Sequence, residues 1–528
     1  MISYLTDSKK RVLIVSPPYR LSQVGFPLGL MYIAAVLQQA GHHVEVIDMD
    51  VLNLPEEDYL RELSERQYDY FCIGGMITAW NFIVYSCVAV KRFKPHVKVV
   101  VGGGIISSTP SSLLSVCDAD IGVIGEGEDT ILEVIDAFEN GKSLDLVPGI
   151  VYKDNSGAVV QTVQRHYTDN LDTIPFPAWD LFKVREIYTR FPSHVSVSKA
   201  KKVASISTTR GCPFMCTFCY TEKTVRQRSI ENVIAELKEL KERYGVGHIN
   251  IHDDLFVVRK KRTIEFCEAM IKHKMNLTWS AAGRCNIVEP EFLRIMKAAG
   301  CEYLGLGIES GSEMVLKAIK KSQTPEQIIA AVRMEQEAGI TPGGTFILGL
   351  PPETKETIRE TVEVYKQINT YRTHVNKFFY ATPYPGTELY DQMRAAGKIK
   401  DEIPYFEKLS ERGDATDFLI NCTEALTDEE LIRIKPEIEK EVFDDFMKKH
   451  PERALLQFLE HQTPWGKIRK VFLILKMKGF RECFAFLTKK ILVKAKLAQN
   501  KYERRRWNTK KSDYVWQQTL VEGNVRTF

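Results

Sequence analysis

The sequence predicts an α/β chain in three parts: a doubly wound, Rossmann-like parallel sheet, a partial (β/α)6 barrel and a helical C-terminal region. Three observations predict it. Short apolar runs alternate with helical patterns from Arg11 to about residue 145. A second strand–helix alternation begins at Val203 and continues to about residue 400. Beyond that point the strand pattern stops. The parts read as residues 1–145, a connector at 146–200, then 201–400 and 401–528. With 528 residues, 44% hydrophobic and 27% charged, the chain can bury several cores and is neither collagen-like nor disordered. No run approaches the roughly 18 uncharged apolar residues of a membrane helix. Met1–Lys10 is polar and lacks the apolar core of a secretory signal, so a cytoplasmic location is expected.

In the first part, Arg11-Val-Leu-Ile-Val15 is an apolar run closed by Ser16-Pro17-Pro18, which reads as a strand and its turn. Leu28–Ala40 has helical spacing and stops at Gly41. His43–Asp48, Tyr70–Gly74, Val97–Val101 and Ile121–Ile124 read as further strands. Strands so spaced, with helices between, pair in parallel. Ligands of such sheets sit outside the carboxyl ends of the strands. Pro17, Gly74, Gly75, Gly102, Gly103, Gly104, Glu126 and Gly127 all fall there. One glycine turn is ordinary. Three in register let backbone come close to a large planar or phosphate-bearing ligand.

Asp172-Thr-Ile-Pro175-Phe-Pro177-Ala-Trp179-Asp180 has two prolines and no helical period, so it reads as an extended connector. In the second series the strands are Val203–Thr209, His248–Asp253, Leu277–Ala282, Tyr303–Ile308, Thr345–Leu350 and His374–Ala381. Helical patterns such as Ile230–Tyr244, Glu289–Ala299 and Pro325–Ala338 separate them. Six repeats suit a partial or full βα barrel, whose active sites lie at the C-terminal ends of the strands. Leu426–Leu497 is mostly helical in pattern.

Of eleven cysteines, Cys72, Cys87, Cys117, Cys267, Cys285, Cys301, Cys422 and Cys483 are scattered and read as small buried hydrophobes in a reducing compartment. The other three crowd into Arg210-Gly211-Cys212-Pro213-Phe214-Met215-Cys216-Thr217-Phe218-Cys219-Tyr220, just past the barrel's first strand. Thiolates in Cys-x3-Cys-x2-Cys spacing suit zinc or an iron–sulfur cluster. Zinc usually takes four protein ligands, and no second cysteine pair or close histidine pair follows. A redox dithiol leaves Cys212 unexplained. A cube held by three thiolates keeps one iron open, as a catalytic metal needs.

At these residues the chain resembles the radical S-adenosylmethionine (SAM) superfamily. With Gly102-Gly103-Gly104, Gly125-Glu126-Gly127-Glu128 and the Pro/Trp connector before the barrel, it resembles the cobalamin-binding class of that superfamily over about residues 10–400. The resemblance implies a 4Fe–4S cluster on Cys212, Cys216 and Cys219, with SAM bound to the open iron. Reduction would then split SAM to methionine and a 5′-deoxyadenosyl radical, which takes a hydrogen atom from an unactivated carbon. It also implies SAM contacts at Phe218, at Asp253 or Asp254 for the amino group, and at Arg284 for the carboxylate. Glu309 and Ser310 would hold the ribose and Ile347 would lie beside the adenine. Read locally, Asp253 or Asp254 could instead be a helix cap, Arg284 an ion-pair partner and Ile347 barrel core. Cobalamin would lie on the glycine-rich edge already named. The segment Ser16–Gly25 lacks the histidine of Asp-x-His-x-x-Gly carriers, so water, another side chain or nothing fills the lower cobalt position.

The layout therefore implies a cobalamin-dependent methyltransferase acting on an unactivated carbon of a small-molecule or lipid-like substrate, fed electrons by a flavodoxin or ferredoxin. Two alternatives are a cyclase of the anaerobic magnesium-protoporphyrin ester type and, from another class, a non-catalytic cluster and corrinoid sensor. Between Gly466 and Lys511, 16 Lys or Arg face two acids, a charge of +14, which leaves 4 − 14 = −10 for the rest of the chain. Interleaved with Val471–Leu475 and Phe484–Leu487, this stretch suits either an anionic bilayer surface or a helical cap packed on the barrel. It lacks the regular aromatics of a nucleic-acid stacking platform.

Overall fold

The computed structural model describes residues 9–18, 26–182, 202–369, 377–412 and 417–450. The chain divides into two compact units, one of residues 1–364 and 376–433, the other of residues 365–375 and 434–528. Both sheets belong to the first unit.

The apolar runs of the first part become β1 (Arg11–Ser16), β2 (His43–Asp48), β3 (Tyr70–Gly74), β4 (Lys98–Gly102) and β5 (Ile121–Val123). All five pair in parallel, in the order β2-β1-β3-β4-β5. Val12 to Val15 are buried along the whole of β1, as a strand covered on both faces requires. Helix Leu28–Gln39 packs with Glu128–Asn140, and Glu56–Glu65 with Trp80–Phe93. In the second pair the Tyr59 hydroxyl donates to Ser86 Oγ at 2.8 Å. The strand order reverses between β1 and β3, so this is the switch point where such sheets open a crevice. The sheet also runs past its expected end. Ile150–Lys153 (β6) pairs antiparallel with β5, and Val159–Gln161 (β7) with β6, in residues that the sequence reading assigns to the connector.

In the second part β8 (Val203–Ile206) is followed by a small antiparallel pair, β9 (Thr209–Arg210) and β10 (Arg226–Gln227). The remaining strands are β11 (His248–Ile251), β12 (Thr278–Gly283), β13 (Cys301–Glu309), β14 (Thr341–Leu348) and β15 (Lys377–Tyr380). The parallel order β8-β11-β12-β13-β14-β15 gives the six-stranded partial barrel, with β8 and β15 at its margins. Leu304, Leu306 and Ile308 of β13 are fully buried on one face. The alternate face carries small and polar groups. Gly305 pairs with Gly343 and Gly307 with Thr345. Nearby, Ser280 Oγ donates to Asn250 Oδ1 at 2.7 Å, and His248 Nδ1 lies 2.8 Å from Thr278 Oγ1. By the alternation of barrel strands, this second face lines the interior.

Helix Glu402–Arg412, expected in a separate helical part, packs instead against the first sheet's layer. Phe406 and Trp80 have ring centroids 5.0 Å apart, and Asn81 N donates to Ser410 Oγ at 3.1 Å. Of the expected C-terminal helices, Asp428–Lys449 is described. In the second unit, Lys449 Nζ donates to the Lys366 carbonyl at 2.6 Å, and Lys366 pairs with Glu441 at 2.6 Å. The basic stretch 466–511 lies outside the described residues. Among the described residues no helix is long and apolar enough to cross a membrane.

Candidate active site

The cysteine loop is the span between β9 and β10, so its two feet are held side by side in the pair Arg210↔Arg226. Gly211 turns the chain into it at φ 91°, where a Cβ would strike the Thr224 carbonyl oxygen at 2.3 Å. Only glycine fits that turn. Cys212 N donates to the Glu222 carbonyl at 2.8 Å, Cys219 N to the Cys216 carbonyl at 3.2 Å, and Thr217 N to the Ile319 carbonyl at 3.2 Å. The three cysteines are free thiols. Desolvation pushes the Cys219 thiol up to about 11, helped by the neighbouring Cys216 and Cys212. The three sulfurs are therefore electrostatic neighbours. Three soft thiolate donors on one loop suit an iron–sulfur cluster.

The two acids after β11 have mainly structural work. Asp253 is buried, and its oxygens accept Thr208 N at 2.6 Å, Thr209 N at 3.0 Å and the Thr208 hydroxyl at 2.5 Å. Burial raises its carboxyl despite those bonds. Asp253 thus fastens the β8–β9 junction to the end of β11. Asp254 is exposed and receives Gly211 N at 2.9 Å on one oxygen. Ser310 is fully buried, lying 3.0 Å from the Thr361 hydroxyl and accepting Ser312 N at 3.1 Å, so it is tied into the barrel wall.

Arg284 does reach the loop. Its guanidinium stacks 3.7 Å from the Phe214 ring centroid, directs Nη1 to Cys216 Sγ at 3.7 Å and donates Nη2 to the Lys321 carbonyl. Glu309, at φ 65°, ends β13 and pairs at 2.7 Å with Lys321, both buried. Burial pulls the Lys321 ammonium down, but Glu309 and Cys216 outweigh it and leave it raised. Lys321 also lies 5.8 Å from the Phe218 ring centroid. Thr345 donates to the other Glu309 oxygen at 3.3 Å. Ile347 is half-buried on β14, between the fully buried Phe346 and Leu348.

At the carboxyl edge of the first sheet, two glycine turns close on each other. A Cβ on Gly74 would meet the Gly102 oxygen at 2.9 Å, and one on Gly103 (φ 86°) the Gly75 oxygen at 2.8 Å. Beside Gly102, by contrast, a Cβ would meet nothing within 4 Å. Pro17 is buried at the end of β1, and Gly127 packs against Ile33. Glu126 points to the barrel: it bonds Arg210 at 2.6 Å and Arg226 at 2.8 Å, while Glu128 bonds Arg210 at 2.6 Å. Burial would raise the Glu126 carboxyl, yet the two guanidiniums hold it below the usual carboxylate range.

Comparison with known proteins agrees with this geometry. The Radical SAM superfamily model matches residues 206–365 and the B12 binding domain model residues 20–135. A Pyrococcus horikoshii protein described as an uncharacterized methyltransferase is 33% identical over 396 residues, covering 72% of this chain and 82% of that protein. The chain belongs to the cobalamin-binding radical SAM family. The anaerobic magnesium-protoporphyrin IX monomethyl ester cyclase of Rubrivivax gelatinosus is 28% identical, covering 75% of this chain and 72% of its own. Among solved structures, the radical SAM methyltransferase TsrM of Kitasatospora setae, with cobalamin and a [4Fe-4S] cluster bound, shares the fold at a TM-score of 0.61 and 20% identity, covering 74% of this chain and 79% of that one.

The cofactors of this radical SAM enzyme are a 4Fe–4S cluster, SAM and cobalamin. Its residues fit them: three free thiols on one loop, the buried cations Arg284 and Lys321 beside them, and open space along Gly102. Sequence reasoning missed Lys321, Arg210 and Arg226. The arginines flank the cysteine motif, but nothing local marks Lys321 beyond a dilysine turn.

Proposed function

We propose that the protein methylates an unactivated carbon of a small-molecule substrate. When bound, the three cofactors supply reductive SAM cleavage, hydrogen abstraction and a methyl group carried on cobalt. The chain's residues supply placement. Cys212, Cys216 and Cys219 present three thiolates from one loop. Arg284 and Lys321 put two cations beside that loop for anionic groups, the SAM carboxylate among them. Asp254 offers its remaining oxygen to an amino group. Thr345 and Glu309 offer hydroxyl and carboxylate to a ribose, with Ile347 beside the base. The open side of Gly102 and Gly104 offers backbone to a corrin. The observation that carries the reading is the direct attachment of the cysteine loop's feet to the edge of the B12-binding sheet through Glu126.

A flavodoxin or ferredoxin is the electron source this chemistry calls for. A lipid-like substrate would give the basic stretch 466–511 a role at an anionic membrane surface, supported by its charge alone. Liposome flotation of the chain with and without residues 466–528 tests that part.

Anaerobic reconstitution with iron, sulfide and hydroxocobalamin, followed by methyl-labelled SAM, a reductant and a metabolite extract from the producing cell, tests the function. The expected result is about four irons per chain, 5′-deoxyadenosine together with S-adenosylhomocysteine, and label in an extract compound. Deoxyadenosine without S-adenosylhomocysteine or label transfer would exclude methylation and favour the cyclase reading.

A further inference from the structure

We infer that Glu126 is a positioning residue: with Arg210 and Arg226 it forms a clamp that fixes the cluster loop against the corrinoid edge. The inference rests on the cofactor reading above. An ionised carboxylate accepts at about four lone-pair sites. All four on Glu126 are taken. Oε1 accepts Arg210 Nη1 at 2.6 Å and Arg226 Nη2 at 2.8 Å. Oε2 accepts Arg226 Nη1 at 2.8 Å and Thr168 N at 3.2 Å. Glu126 is therefore saturated by protein and has no acceptor left for a cofactor, although it sits on the cofactor edge.

The partners are chosen by place. Arg210 immediately precedes Gly211 and Cys212, and Arg226 is its register partner on the returning strand. One carboxylate thus bridges both feet of the loop. Glu128 takes the other nitrogen of Arg210 at 2.6 Å, so two carboxylates balance two guanidiniums. The pairs are well covered, with side-chain exposures of 7% for Arg226, 14% for Glu126 and 10% for Glu128. Arg226 also stacks 4.7 Å from the Tyr167 ring centroid, and Arg210 lies 5.3 Å from that of Tyr32. Removing one member of such a group strands the other charges out of water, so the arrangement holds one geometry or fails. A second tie lies at the loop's exit. Tyr220, next to Cys219, lies beside Ser107 and Ser108, and the Ser107 hydroxyl accepts Gly125 N at 2.9 Å. Ser107 belongs to the short helix Gly104–Ser108 that follows the triple glycine. The cysteines are thus bracketed on both sides by residues of the corrinoid edge. Methyl transfer needs cobalt, substrate and the SAM carbon at set separations, because small misplacements are expensive in rate.

The test uses the full chain and the variants E126Q, R226K and their combination, reconstituted anaerobically with iron, sulfide and hydroxocobalamin. Two quantities are measured: hydrogen exchange of residues 209–227, and the magnetic interaction between the reduced cluster and cob(II)alamin by electron paramagnetic resonance. Each single variant is expected to speed exchange by about tenfold or more and to shift or broaden the interaction. The combination should add little, because the residues act as one unit. R226K keeps the charge and serves if E126Q loads poorly. Unchanged exchange overturns the clamp. Faster exchange with an unshifted interaction overturns the positioning role and leaves an ordinary stabilising contact. Metal and corrin counts on the unsubstituted protein come first. If it binds neither cofactor, the cofactor reading and this inference fall together, before any variant is made.

Discussion

Lys321 shows how costly single charges become next to the cluster loop. Its ammonium and the Glu309 carboxylate are 2.7 Å apart and both nearly fully buried. Around them the backbone is strained: Glu309, Lys320 and Ser322 hold φ of 65°, 56° and 52°. Non-glycine residues in that region cost about 1–3 kcal/mol each, and such strain gathers at functional sites. The turn repays it with contacts, since the Ile319 and Lys321 carbonyls receive Thr217 N and Arg284. Lys321→Met should destabilise the fold by about 3–5 kcal/mol, because Glu309 is left charged and unpaired. The double variant K321M/E309L should lose clearly less than the sum of the two single changes. Urea unfolding of all three variants checks this. Equal, additive losses would mean the pair is not coupled.

At the scale of elements, the turn after β14 carries a second buried acid. Glu353 is fully buried; one oxygen receives Gly349 N and the other has no hydrogen-bond partner among the described residues. Burial pushes its carboxyl up to about 8, against the opposing bonds from Gly349 and Leu350. The folded chain thus keeps a proton that the unfolded chain releases near 4.5. Stability from this group is complete below about pH 4.5, falls as pH rises to about 8, and is level above that. The loss is on the order of 5 kcal/mol. Thermal midpoints between pH 5 and 9 should fall across that window in the parent and stay flatter in Glu353→Gln; parallel curves would refute it. The strands of both sheets were legible because buried parallel strands leave unbroken apolar runs, as Val12–Val15 and Val99–Val101 do. β7 was not, since Val159 and Gln161 are exposed and give no run to read, and β6 offers only the three apolar residues Ile150–Tyr152 before Lys153. In the site, the cysteine spacing was legible because its ligands are adjacent in sequence. The role of Glu126 was not, because it depends on arginines 84 and 100 residues away. Asp253 and Ser310 fell at the expected strand ends, but only the fold shows which bonds they make.

For the molecule as a whole, the contact between Trp80 and Phe406 joins the first sheet's layer to the segment after the barrel. An amphipathic pattern in Glu402–Arg412 says that this helix is covered, but not by which part of the chain. Trp80 is fully buried, and Trp80→Ala should cost about 3–5 kcal/mol. A lowered urea midpoint checks this, and an unchanged one would mean the two parts are held elsewhere. The same contact bears on how the chain is made. Asn81 and Ser410, which meet through a hydrogen bond, are 329 residues apart. A ribosome adding about 5–20 residues per second needs roughly 15 to 65 s to travel from one to the other. Throughout that interval the nascent first sheet has a tryptophan-bearing face with no cover of its own, which makes it a client for whatever shields greasy surfaces at the exit tunnel.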